Sequence, residues 1–161
     1  MSRRPDPASE AEREVRRARR AGGRLAAIQA LYQMEQTSSS VPAVIAEFLD
    51  DRLGLSDDGA PIEEADPDLF KAIVSGVVDR QEDVDRAIMR RLASGWRMER
   101  LDATSRAILR AAVFELLATR DLPANIILGE YVSIAHAFFD KTEASFINGL
   151  LDQAAVDIRG G

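Results

Sequence analysis

The sequence contains no cysteine and a single histidine. The missing thiols exclude disulfides, thiolate metal sites and cysteine nucleophiles, and they are compatible with a reducing cytoplasm. The lone histidine, His136, sits inside an apolar-periodic stretch. Ser133 lies one turn before it, but a serine and a histidine on one helical turn lack the strained elbow and third member of a hydrolase triad, so His136 reads as a packed or surface residue. No uninterrupted apolar run of about 18 residues exists, so no membrane span is indicated. The charged N-terminus lacks the apolar core of a secretion signal. Neither a GxxxxGK(S/T) nor a GxGxxG phosphate cradle is present. The acidic residues Asp57, Asp58, Glu63, Glu64 and Asp66 lack the alternating spacing of a calcium loop. No catalytic constellation, metal site or cofactor site is expected.

What is present is a soluble composition of 161 residues, 46% hydrophobic and 30% charged, suited to one domain. Charge is distributed unevenly. Residues 1–24 carry eight arginines against Asp6, Glu10, Glu12 and Glu14, a net of +4, whereas the remainder carries −10, for −6 overall. A front end opposite in sign to the body suggests an acidic partner for that end. The cluster Arg16, Arg17, Arg19, Arg20 and Arg24 reads either as a phosphate-binding device, since guanidinium forks pair with phosphate and stack on bases, or as a solvated tail.

All apolar periodicity is helical. Stripes run through Leu25–Tyr32, Val44–Leu49, Leu69–Val78, Val84–Leu92, Ile108–Leu117, Ile127–Phe138 and Ile147–Ile158. Asp66-Pro67 and Asp102 read as helix starts, Gly54 as a helix end, and Pro123 as a break. No strand-period segment appears. The expectation is an all-α fold of six or seven short helices, with residues 1–9 unstructured and residues 10–158 as one domain. Ser9 and Glu12 suggest a capping box opening a helix over 10–21, which Gly22-Gly23 would loosen. Residues 55–67 form an acidic Gly/Pro loop.

In the last stripe, a helical wheel puts Leu150, Ala154, Ile147, Ile158 and Leu151 together, Phe146 on their shoulder, and Gly149 and Gln153 outside. Phe146 either completes the core or offers a ring face to a base.

Three stretches, in order, resemble the NusB family of bacterial transcription antitermination factors: "RAGGRLAAIQALYQMEQ" (Arg20 to Gln36), "ERLDATSRAILRAAVFELL" (Glu99 to Leu117) and "FINGLLDQAA" (Phe146 to Ala155). "LPANIILGEYVSIAHAF" resembles the family segment between the last two. The resemblance implies about seven helices in two small packed bundles and no enzyme activity. It implies binding of single-stranded boxA RNA with the ribosomal protein NusE, in an antitermination complex on RNA polymerase in the cytoplasm. It implies an RNA surface made by the arginine-rich entry helix and the start of the closing helix. Arg20, Arg24, Phe146 and Asn148 match that surface. Arg16, Arg17 and Arg19 are added to it by charge and proximity. Tyr32 matches a family tyrosine near the NusE contact, and Ser105 sits where some members have a glutamate facing NusE. Glu143 departs from the pattern by adding negative charge near the RNA surface. Members of the family occur as monomers and as dimers, so the oligomeric state stays open. NusB-like domains also begin an rRNA cytosine methyltransferase. The end of this chain at Gly161 and its lack of cysteine argue against that reading. A helical scaffold that binds only protein is the third alternative.

Overall fold

The computed structural model describes residues 7–52 and 65–160. Among them lie seven α-helices: α1 (Pro7–Thr37), α2 (Val41–Glu47), α3 (Pro67–Asp79), α4 (Gln81–Met89), α5 (Ala103–Ala118), α6 (Ala124–Phe138) and α7 (Lys141–Arg159). A π-turn follows α2 and a 3₁₀ turn, Met98–Arg100, precedes α5. Two starts expected from sequence carry their caps. Asp66 accepts from the backbone N–H groups of Asp68 and Leu69 at 3.0 and 3.2 Å. Asp102 accepts from the Ser105 N–H at 2.9 Å. Asp140 caps α7 in the same way. Each satisfies donors that a helix start otherwise leaves unpaired. The expected helix end at Gly54, most of the acidic loop and residues 1–6 of the expected tail lie outside the described residues.

Two expectations about α1 are corrected. The helix begins at Pro7, so Pro7 to Ser9 are helical and Ser9 does not open it. The helix also runs unbroken through Gly22-Gly23, for roughly 45 Å. Gly23 is a docking notch. The Asp66 N–H donates to the Arg19 carbonyl at 2.8 Å, and a Cβ on Gly23 would lie 2.8 Å from the Asp66 carbonyl oxygen. Only a glycine lets the backbone before α3 come this close.

Helices α1 to α3 form one small bundle and α4 to α7 the other. α5 packs against α1 and α3 as well as α4, α6 and α7, so a single apolar core runs through both. α5 is accordingly buried almost all round, from Ser105 to Leu116. Phe48 stacks on Phe70, ring centroids 5.5 Å apart, closing α2 onto α3. At the far end Arg159 donates to the carbonyls of Leu116, Thr119 and Leu122 at 2.8 to 3.0 Å. It thereby ties the end of α7 to orphan acceptors after α5.

Candidate nucleic-acid interface

The side chains along the first half of α1 are exposed. Every residue from Glu10 to Arg20 is exposed. At 100° per residue, Arg13, Arg16, Arg17 and Arg20 share one face and Arg19 borders it. Arg13, which the sequence reading left out, thus joins the cluster. Arg17 makes two long ion pairs, to Glu14 at 3.9 Å and to Glu130 of α6 at 3.8 Å. Among the described residues Arg16, Arg19 and Arg20 have no ion-pair partner. This is an exposed comb of guanidinium groups, suited to the spaced phosphates of a nucleic-acid strand.

Arg24 is not part of it, and its expected role in RNA binding is corrected. One turn beyond Arg20 the helix enters the body, and Arg24 is 2% exposed. Its Nε and Nη2 donate to the Glu115 carboxylate at 2.7 and 3.0 Å. The Tyr131 hydroxyl donates to the same carboxylate. Burial, with the Glu115 charge beside it, pushes the Tyr131 phenol well above its ordinary value, so it stays a donor. No buried side-chain polar atom lacks a partner among the described residues. The guanidinium has no face left for a phosphate.

On α7 the expected wheel is observed. Ile147, Leu150, Leu151 and Ala154 are buried, while Phe146, Gly149 and Gln153 are exposed. Phe146 is 41% exposed and Asn148 half-buried. Phe146 borders a cavity of about 370 Å³ with Trp96, Arg100, Asp102, Thr142 and Glu143. Arg17 lines a different cavity, with Asn125, Ile126, Glu130 and Ser133. The arginine face and Phe146 therefore do not share one pocket, although the resemblance assigns them to one surface. Trp96 and Arg100 are absent from the sequence expectation. The signal was legible in "RRLASGWRMER" (Arg90 to Arg100), a second arginine-rich segment holding the only tryptophan.

Tyr32 is 42% exposed and lines a cavity of about 410 Å³ with Ile28, Gln29, Gln33, Thr104 and Phe138. Phe138, expected on the core stripe of α6, is instead exposed at its C-terminal end. Ser105 is corrected as a partner-facing residue. It is 1% exposed, and its hydroxyl donates to Asp102 Oδ2 at 2.8 Å within the α5 cap. Thr104, its neighbour, is the α5 residue that reaches the Tyr32 cavity. His136 and Ser133 are both exposed. Among the described residues, no cluster of three or more histidine or acidic side chains is arranged to hold a metal ion, and no helix is long and apolar enough to cross a membrane.

Comparison with known proteins gives one consistent answer. The model of the NusB family matches residues 22–156. The transcription antitermination protein NusB of Hyphomonas neptunium is 58% identical over 146 residues, covering 91% of this chain and 95% of that protein. The protein of the same name from Caulobacter vibrioides is 49% identical, covering 87% of this chain and 94% of its own length. Among solved structures, T. maritima NusB superposes with a TM-score of 0.69 at 26% identity, over 84% of this chain and 89% of that one. A structure of antitermination factors NusB and NusE in complex with dsRNA shares the fold, with a TM-score of 0.70 at 21% identity, over 84% of this chain and 95% of the matched one.

Proposed function

This chain belongs to the NusB family, and from that premise we propose that it binds the boxA element of nascent ribosomal RNA together with NusE, helping to assemble an antitermination complex on RNA polymerase. The family's members are transcription antitermination factors rather than enzymes. The observation that carries the RNA part is the exposed arginine face of α1, Arg16, Arg17, Arg19 and Arg20, standing out from a body of net negative charge. Such a body repels polyanions at long range. The arginines give it one local point of attachment, and an additional basic protein docked on it would supply more positive surface. The Tyr32 cavity, apolar and rimmed by glutamines, is the surface we assign to NusE. The cytoplasm is where this work takes place.

Relatives bearing the antitermination name are matched over 86–95% of their own length, which favours the adaptor over the start of a methyltransferase. The test is a titration of boxA RNA and a scrambled control with the purified chain, alone and with NusE. Selective binding that strengthens when NusE is added is expected, and so is loss of NusE pairing in Tyr32→Asp, where a charge enters a desolvated contact. Equal binding of both RNAs under all conditions would refute the proposal.

A further inference from the structure

The connector between α4 and α5 presents a tryptophan to solvent in a way that packing does not explain. Met98 and Leu101, two and five residues on, are buried in the core, yet Trp96 between them and Gly95 is 46% exposed. The connector is held in this pose. Gly95 has φ +85°, a conformation that L side chains rarely adopt. The Trp96 N–H donates to the Ala93 carbonyl at 2.9 Å. Arg106 donates to the carbonyls of Met98, at 3.1 Å, and Leu101. The Arg100 guanidinium lies over the indole, 5.8 Å from its centroid, within cation–π range. Across the same cavity stands the exposed ring of Phe146.

Two exposed aromatic side chains and a guanidinium around one open cavity are the parts of a base-stacking site for an unpaired strand. The local charge supports stacking rather than phosphate attraction. Arg100 shares the cavity with Asp102 and Glu143, and Arg97 and Glu99 beside it are both exposed, so the patch has no positive excess. Asp102 is in addition committed to the α5 cap.

We propose that Trp96 and Arg100, with Phe146, form a second contact for the single-stranded RNA, one that receives unpaired bases while the α1 arginines hold phosphates. The inference rests on the RNA-binding function proposed above, and what it adds is the connector. Bases stack on the two rings, and Arg100, already laid on the indole, moves little to sandwich a base or to reach its edge.

Trp96 is the only tryptophan of the chain, so its fluorescence reports this cavity alone. The experiment titrates the full chain with a short single-stranded boxA oligonucleotide, following Trp96 emission and the anisotropy of end-labelled RNA. It is repeated with NusE present, with Trp96→Phe as the emission blank. Emission should be quenched with the midpoint given by anisotropy. Trp96→Ala should weaken binding by roughly five- to a hundredfold, and by the same factor at low and high salt, because no phosphate contact is removed. Trp96→Phe should retain most of the affinity. Tight RNA binding with unmoved Trp96 emission and an unaffected Trp96→Ala variant would overturn the inference while leaving the function standing. Emission that responds to NusE but not to RNA would also overturn it, making the cavity a protein contact. Absence of RNA binding with and without NusE would overturn both.

Discussion

Arg24 of α1 and Glu115 of α5 form a two-pronged ion pair in the middle of the molecule, 91 residues apart in sequence. Tyr131 of α6 closes it from the third side. Three helices are thereby set in one register, since the pair tolerates no slide of α1 along α5. The exposed arginines of α1 begin one turn away, so this buried pair fixes where the arm leaves the body.

Removing one partner leaves the other charged and buried, which costs about 3–5 kcal/mol. Glu115→Gln and Arg24→Met should each lose stability of that order in urea unfolding. In the folded fraction, Arg24→Met should bind RNA with an unchanged salt dependence, because Arg24 touches no phosphate. A stable Arg24→Met protein with a shallower salt slope would return Arg24 to the RNA surface.

A second close approach makes an independent prediction. A Cβ on Gly76 of α3 would fall 2.1 Å from the ring of Phe114 on α5. Gly76→Ala gains about 1 kcal/mol of helix propensity, but the overlap forces α3 and α5 apart, and overpacking of this kind typically costs 1–3 kcal/mol. A net loss is expected. Combined with Phe114→Leu, the two penalties should sum to less than their separate values, since the second change opens the space that the first requires. Strict additivity in thermal unfolding would show that the helices do not meet at this point.

Acid should act through Glu35. The hydrogen bond from Arg106 holds this carboxyl below its ordinary 4.5. The charges of Arg106 and Arg110 act in the same direction, against partial burial. Arg110 also bridges to Asp85 at 2.9 Å, so the network joins α1, α4 and α5. Because the unfolded chain takes up the proton more readily, this contribution is complete above about pH 4.5 and is lost as pH falls through the lower folded value. Glu35→Gln should be less stable at neutral pH and should show a flatter fall in urea midpoint between pH 5 and about pH 3. Parallel curves for the two proteins would mean that Glu35 is not the linked group.

Local chemistry was legible in the sequence. Asp66-Pro67 and Asp102 announced helix starts because capping acts within three residues, and the wheel of α7 placed Phe146 because helical period is local. Long-range partners were not legible. Arg24 looked like its neighbours because nothing within one turn of it reveals Glu115. The glycine pair looked like a hinge because Asp66, which fills the notch, lies more than forty residues on. Ser105 was placed on the partner surface by family resemblance alone, whereas its hydroxyl is used by the cap that the same sequence had predicted. Trp96 was missed for a different reason: its arginine-rich segment was visible, but a tryptophan in a loop carries no period, and only the fold puts it beside Arg100 and Phe146.

The exposed arginine face of α1 has lost Arg24 from the expected cluster and gained Arg13. If Arg13, Arg16, Arg17, Arg19 and Arg20 each displace one counterion from a single strand, log K should fall with log salt at a slope of about −3.5. Arg17 is the one member with acidic groups beside it among the described residues, Glu14 and Glu130 at 3.9 and 3.8 Å. Those separations are long and Arg17 is exposed, so the pairs are worth little in water and a phosphate can replace them. Among the described residues Arg16 and Arg20 have no such competitors, and they lie on one face at i, i+4 spacing. Replacing both by alanine should flatten the slope by about 1.4. Stability should hardly change, since both side chains are exposed and alanine favours the helix. The measurement is RNA affinity at four or more salt concentrations, with unfolding of the same preparations as control. An unaltered slope in a folded double variant would remove the arm from the RNA site and leave the Phe146 cavity as the contact to be tested.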